Sequence, residues 1–214
     1  MQRVIRILLI FVVALGTIQL FAQEDFSGDM VSTSKGAAQE HRAKIYATKD
    51  KMRFEPENQA PSKAAVIVNF STHMNDVLMP ERKMYMEMPQ GQGPGQQQWS
   101  RDLFRPSNLD DACSEWLKLP QNKGGSCKNL GSETVNGRST VKFEGTNAKG
   151  ETGYAWVDKK IAFPIKWEGK NDTWELQNIK EGSQPASLFE IPSDYQKFQM
   201  PAGMPMPPNM QRPQ

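Results

Sequence analysis

Cysteine and histidine are scarce: the chain has two of each, Cys113 and Cys127, His41 and His73. The cysteines lack a C-x-x-C spacing and no histidine adjoins them, which argues against a redox pair or a zinc centre. No G-x-S-x-G, H-E-x-x-H or glycine-rich phosphate loop occurs, so the local signatures of serine hydrolases, zinc proteases and nucleotide-binding enzymes are missing. The carboxylate pairs Glu24-Asp25 and Asp110-Asp111 fall at a terminus and at a helix start, where they are solvated or favour the helix dipole. The expectation is a non-enzymatic protein, with no catalytic residue, no metal site and no cofactor.

An excess of one charge is missing too. The chain carries 26 basic and 24 acidic residues, and Arg3 and Arg6 supply the whole difference. Beyond residue 22 it is formally neutral, with no electrostatic footprint for nucleic acid or an anionic membrane. The longest apolar run, Ile7 to Leu15, falls short of the ~20 residues a bilayer span needs. Arg3 and Arg6 precede it; Leu20-Phe21-Ala22 and the polar Gln23-Glu24-Asp25 follow. These are the parts of a secretory signal, residues 1–22, cleaved after Ala22; a permanent anchor is the alternative. No cysteine lies at the cleavage point, so no lipid anchor is expected. The expected location is periplasmic or secreted, with no stable membrane span once the signal is removed. In that compartment a lone cysteine pair most simply forms a disulfide, here Cys113–Cys127.

The rest of the chain is rich in period-two alternation, the pattern of strands with one buried face. It runs through Phe26 to Ser32, Ile45 to Ala47, Lys51 to Glu55, Ala64 to Phe70, Asn75 to Met79 and Lys83 to Met88. Residues 89–98 form a Gly/Gln/Pro loop. One helix follows, capped by Asn108 or Asp110 and stopped by Pro120. Alternation resumes at Ser132 to Val135, which an Asn136-Gly137 turn joins to Ser139 to Gly145, a strong hairpin signal. Tyr154 to Trp156, Phe163 to Trp167 and Trp174 to Leu176 complete the series. Short strands at this spacing predict an α+β domain over residues 23–198: a curved antiparallel half-barrel sheet of about ten strands. One or two helices cover its concave face. Ser187 to Pro192 should pack the end of the chain onto the sheet, and the Met/Pro-rich residues 199–214 read as a disordered tail.

The ordered series Lys44-Ile45-Tyr46, Asp50 to Glu55, Val77 to Met88, Val135 to Arg138, Lys142 to Gly145, Ala155 to Asp158 and Gln184 to Tyr195 resembles the DUF4412 group. These are exported bacterial proteins of the LolA/LppX-like, lipoprotein-carrier-like fold. The Cys113/Cys127 loop and the Met/Pro tail depart from its typical members. The resemblance implies a half-barrel around a hydrophobic cavity that a helix closes, and in the carrier relatives the cavity takes acyl chains. It makes the inward-facing apolar residues candidates for a ligand cavity: Val66, Val68, Phe70, Met84, Met86, Met88, Val141, Phe143, Phe163, Ile165, Trp167, Trp174 and Leu176. The same residues, taken alone, are ordinary core. The implied partner is a lipid or other hydrophobic ligand; the sequence names no protein partner. Two other readings stay open. Met200, Met204, Met206 and Met210, with Met79, Met84, Met86, Met88 and His73-Met74, suit Cu(I). A structural or partner-binding envelope protein is the other.

Overall fold

A computed structural model describes residues 25–36, 39–57, 64–90, 105–106 and 108–198. The signal at 1–22, residues 91–98 of the Gly/Gln/Pro loop and the tail at 199–214 lie outside the described residues.

The strands are β1 (Phe26–Ser34), β2 (His41–Ala47), β3 (Lys51–Pro56), β4 (Ala65–Asn69), β5 (Met74–Met79) and β6 (Met84–Pro89). After the helix α1 (Ala112–Lys118) come β7 (Ser126–Val135), β8 (Arg138–Thr146), β9 (Thr152–Asp158), β10 (Pro164–Glu168), β11 (Asp172–Glu181) and β12 (Gln196–Lys197). They form one twelve-stranded open sheet in the order β12-β6-β5-β4-β3-β2-β1-β11-β10-β9-β8-β7. Every pairing is antiparallel except the two-residue β12 against β6. The curved half-barrel expected from the alternation is what forms. Consecutive strands are hairpin neighbours throughout each series, and β1 joins the two by pairing with both β2 and β11.

Local chemistry accounts for the turns. Asn136 and Gly137 both take positive φ, 49° and 77°, as a type I′ hairpin demands. Asn178 is a bulge residue at φ 50°, where the β1–β11 register shifts by one. The Asn108 side chain accepts the Asp110 backbone N–H at 3.0 Å and starts the 3-10 turn that leads into α1. Leu119 is extended before Pro120, because a residue preceding proline is disfavoured in the helical region.

Alternation assigns the two faces. On the inner face, register stacks Phe26, Ala47, Met52, Val68, Asn75 and Met88 in one row across six strands. Phe26, Ile45, Ala47, Met52, Val68, Phe70, Ile161, Phe163, Ile165 and Leu176 form the main core cluster. Phe163 arrives from the β9–β10 connection and packs its ring 5.1 Å from that of Phe26. Removing each such ring from water is worth roughly 1.5–3 kcal/mol. On the outer face, Ala65, Ile67 and Leu78 are covered by Ile191 and Tyr195 of the C-terminal segment. That segment is tied down where the Arg53 guanidinium and Lys51 ammonium donate to the Leu188 and Phe189 carbonyls at 2.8 and 3.2 Å. Ser187 to Pro192 does pack on the sheet, on its convex side.

Candidate functional site

Helix α1 lies over the β7 and β8 end of the sheet. None of its residues is buried, and it is held at three points. The Cys113–Cys127 disulfide, its Cα atoms 5.4 Å apart, fastens it to β7. Cys113, Ala112 and Leu109 pack against Val141, Phe143 and Val157. At its far end the buried Asn122 side-chain amide donates to the Trp116 carbonyl at 3.0 Å.

Between this helix and the inner face of β8 to β11 lies a cavity of about 540 Å³, a size that suits a small-molecule ligand. Its floor is made of small residues. Gly145 and Gly153 are directly paired across β8 and β9, with Ala155 beside them. A Cβ on Gly145 would lie 2.9 Å from the Trp116 indole, and one on Gly153 would lie 2.5 Å from the Trp167 indole. Each ring therefore rests on bare backbone, and only glycine permits that approach. Trp116, Phe143, Trp167 and Trp174 form the aromatic wall. The mouth is polar, with Asn147, Glu151, Lys170 and Asp172. There the Trp167 Nε1–H donates to Asp172 Oδ2 at 3.1 Å, and the Asn147 amide to Glu151 Oε2 at 3.0 Å.

The candidate residues named from the sequence divide between two places. Phe143, Trp167 and Trp174 border the cavity. Val68, Phe70, Phe163, Ile165 and Leu176 interlock in the main core, with Val66 packed against them. Val141 belongs to the cluster beneath the disulfide. Met84, Met86 and Met88 share the inner side of β6, where Met86 and Met88 are buried and Met84 is half-buried. The sequence reading missed Trp116, Gly145 and Gly153. Their signal was present only as pairs, a glycine opposite a glycine with a tryptophan able to reach each. It also missed Arg105, which is 1% exposed, donates to the Thr48 carbonyl at 2.6 Å and lies over the Phe26 ring.

For the metal reading, Met200, Met204, Met206 and Met210 lie outside the described residues. His73 is in the β4–β5 turn and His41 opens β2. Among the described residues no group of three or more His, Cys, Asp or Glu could hold a metal ion. Among them, too, no helix is long and apolar enough to cross a membrane.

Two charged networks lie outside the cavity lining. The Arg138 guanidinium bridges Asp158, at 2.6 and 3.2 Å, and Glu181, at 2.6 Å, and Lys160 also bonds Glu181. The Lys160 hydrogen bond, with Arg138 behind it and burial opposing, holds the Glu181 carboxyl below its ordinary value. Nearer the cavity, but on the other side of the sheet, the Trp156 Nε1–H donates to Glu133 Oε2 at 2.6 Å. Lys142 and Lys166 each lie 4.6 Å from its ring centroid. That hydrogen bond, followed by the one from Lys142, holds the Glu133 carboxyl low.

Among solved structures the chain is similar to an uncharacterised conserved protein from Thermus thermophilus. The match covers 83% of this chain and 91% of that one, at 12% identity and a TM-score of 0.51. It is also similar to MucB in complex with MucA(peri), over 85% of this chain and 59% of that one, at 12% identity and a TM-score of 0.50. The chain thus spans a little over half the length of MucB. A LolA superfamily protein from Nitrosomonas europaea aligns over 78% of this chain and 90% of that one, at 11% identity and a TM-score of 0.37. The first two carry the likeness, and at such identities it is a likeness of fold alone. No family model and no curated protein sequence matches the chain.

Proposed function

We propose that this is an exported, non-enzymatic protein that binds a hydrophobic ligand, a lipid or acyl chain, in the cavity beneath α1. One observation carries the reading: an aromatic-walled cavity of about 540 Å³ on the inner face of a half-barrel, covered by a helix with no buried residue. Tryptophans left half-buried around open space are costly in water and useful to a ligand. Export is supported by the pattern of residues 1–22, and the carrier role by the DUF4412-like fragments and their lipoprotein-carrier-like fold. The absence of hydrolase, protease and phosphate-loop motifs supports a role without chemistry.

Native mass spectrometry of protein purified from the cell envelope tests this. A co-purifying lipid or acyl-chain mass, released by organic solvent, is the expected result. A bare protein mass, together with no displacement of a fluorescent fatty-acid probe, would sink the reading.

A second reading, partner binding, is favoured by the β7 edge. It is ten residues long, nearly all exposed, and carries Leu130, the exposed large hydrophobic residue among those described. Such an edge can accept an added strand, and the similar MucB structure was solved with MucA(peri). The register shift between Asn129 and Gly131 bends this edge and weighs against it.

A further inference from the structure

The two sides of the sheet treat their tryptophans differently. On the outer face Trp156 is 4% exposed; its indole N–H is given to a carboxylate, Glu133, and two ammonium groups of the chain itself cover its ring. Two cations thus lie within cation–π range of one ring, with the acid fixing the ring's edge. On the inner face Trp167 repeats half of this arrangement. Its N–H goes to a carboxylate, Asp172, and its ring end rests on Gly153, but it borders open cavity. Trp116, Trp174 and Phe143 border the same space. The cation–π pairs found among the described residues use Phe26, Tyr154 and Trp156 as rings. The mouth adds two carboxylates, Glu151 and Asp172, against one ammonium, Lys170, which is 68% exposed and drawn to Glu151 at 4.0 Å.

An aromatic wall with carboxylates at its mouth attracts one kind of ligand above others: a weakly hydrated cation able to sit within about 6 Å of a ring face. Ordinary metal cations do not fit this wall, since it has no cluster of oxygen or sulfur donors. We infer that the cavity selects ligands bearing a quaternary or methylated ammonium group. The inference rests on the ligand-binding reading of this cavity and names the chemistry of the ligand's head. A phosphocholine-type lipid headgroup and a free solute such as choline share that chemistry.

Calorimetric and tryptophan-fluorescence titrations of the full exported chain decide it. The probes are tetramethylammonium, choline, and choline's uncharged carbon isostere, in which tert-butyl replaces trimethylammonium. A single-chain phosphocholine lipid and its neutral-headed counterpart complete the set. The cationic member of each pair should bind about tenfold more tightly than its neutral partner. Combining Glu151→Gln with Asp172→Asn, both at the mouth, should remove most of that preference, read as the ratio of cationic to neutral affinity within each pair. Trp174→Leu should weaken cation binding by a similar factor. Tight phosphocholine-lipid binding with weak choline binding points to the lipid as source; comparable affinities point to the free solute. Either supports the inference. Equal binding of cation and isostere overturns it, as does a preference that survives the double variant. Binding of the neutral-headed lipid without cation preference overturns the inference alone and leaves the hydrophobic-ligand reading standing. Binding of no probe removes both.

Discussion

The inner face has a filled half and a hollow half. Over β1 to β5 the row of Phe26, Met52 and Val68 is met by Ile161 and Phe163 from the β9–β10 connection, and Arg105 lies over Phe26. Over the ends of β8 to β10 the strands offer Gly145, Gly153 and Ala155, and the covering helix, with no buried residue of its own, lays only the Trp116 ring on Gly145. The same alternation runs through both halves. The difference lies in residue volume and in what the connecting segments bring. A packed half resists deformation and loses stability when a side chain is removed; a hollow half leaves the space that the proposed function assigns to a ligand.

The largest effect should come from breaking the filled half. Phe26→Ala is expected to cost about 3–5 kcal/mol in denaturant unfolding, with the fatty-acid probe's affinity for the remaining folded protein changed little. Next is the fastening of the helix. Replacing Cys113 and Cys127 together by serine should cost about 3 kcal/mol for a sequence separation of 14, and it should speed ligand release, read as a faster probe off-rate. A smaller cost and a sharper contrast are expected from Gly153→Val. Its Cβ meets the Trp167 ring at 2.5 Å, so the indole must shift into the cavity. The expected cost is about 1–3 kcal/mol, with the probe's binding abolished. Phe26→Ala and Gly153→Val thus separate stability from binding.

The smallest effect is on pH dependence. Folding lowers the Glu181 carboxyl below its ordinary 4.5, so in the folded state it keeps its charge to lower pH than in the unfolded chain. Its contribution is fully present above about pH 4.5 and is lost as the pH falls through the lowered folded value. Glu181→Gln should flatten that part of the acid limb in a pH series of melting temperatures and leave ligand affinity unchanged.

What could be read from the sequence follows from the physics of each feature. The Asn136-Gly137 hairpin was legible because only a few residues accept the positive φ of that turn. The helix was legible from its Asn108 cap and Pro120 stop, and the cysteine pair from there being only two cysteines in a chain expected to be exported. Alternation gave Val68, Phe163, Ile165 and Leu176 their inward direction. It could not tell a face met by chain from a face met by space, so residues of the packed core and of the cavity wall were named together. Gly145 and Gly153 carry no hydrophobic period, and their pairing across β8 and β9 exists only in the folded sheet. Arg105 sits outside any strand pattern, and its burial depends on the distant Thr48 carbonyl and Phe26 ring. The two residues of β12 are too few to show a period at all.

Photoaffinity labelling with a diazirine-bearing fatty acid, mapped by peptide mass spectrometry, tests most directly the claim that the hollow half is the binding site. The expected adducts fall on Trp116, Phe143, Trp167 and Trp174, and Gly153→Val removes them. Adducts at Val68, Phe70, Met86 or Met88 instead, or a pattern that Gly153→Val leaves unchanged, would contradict it.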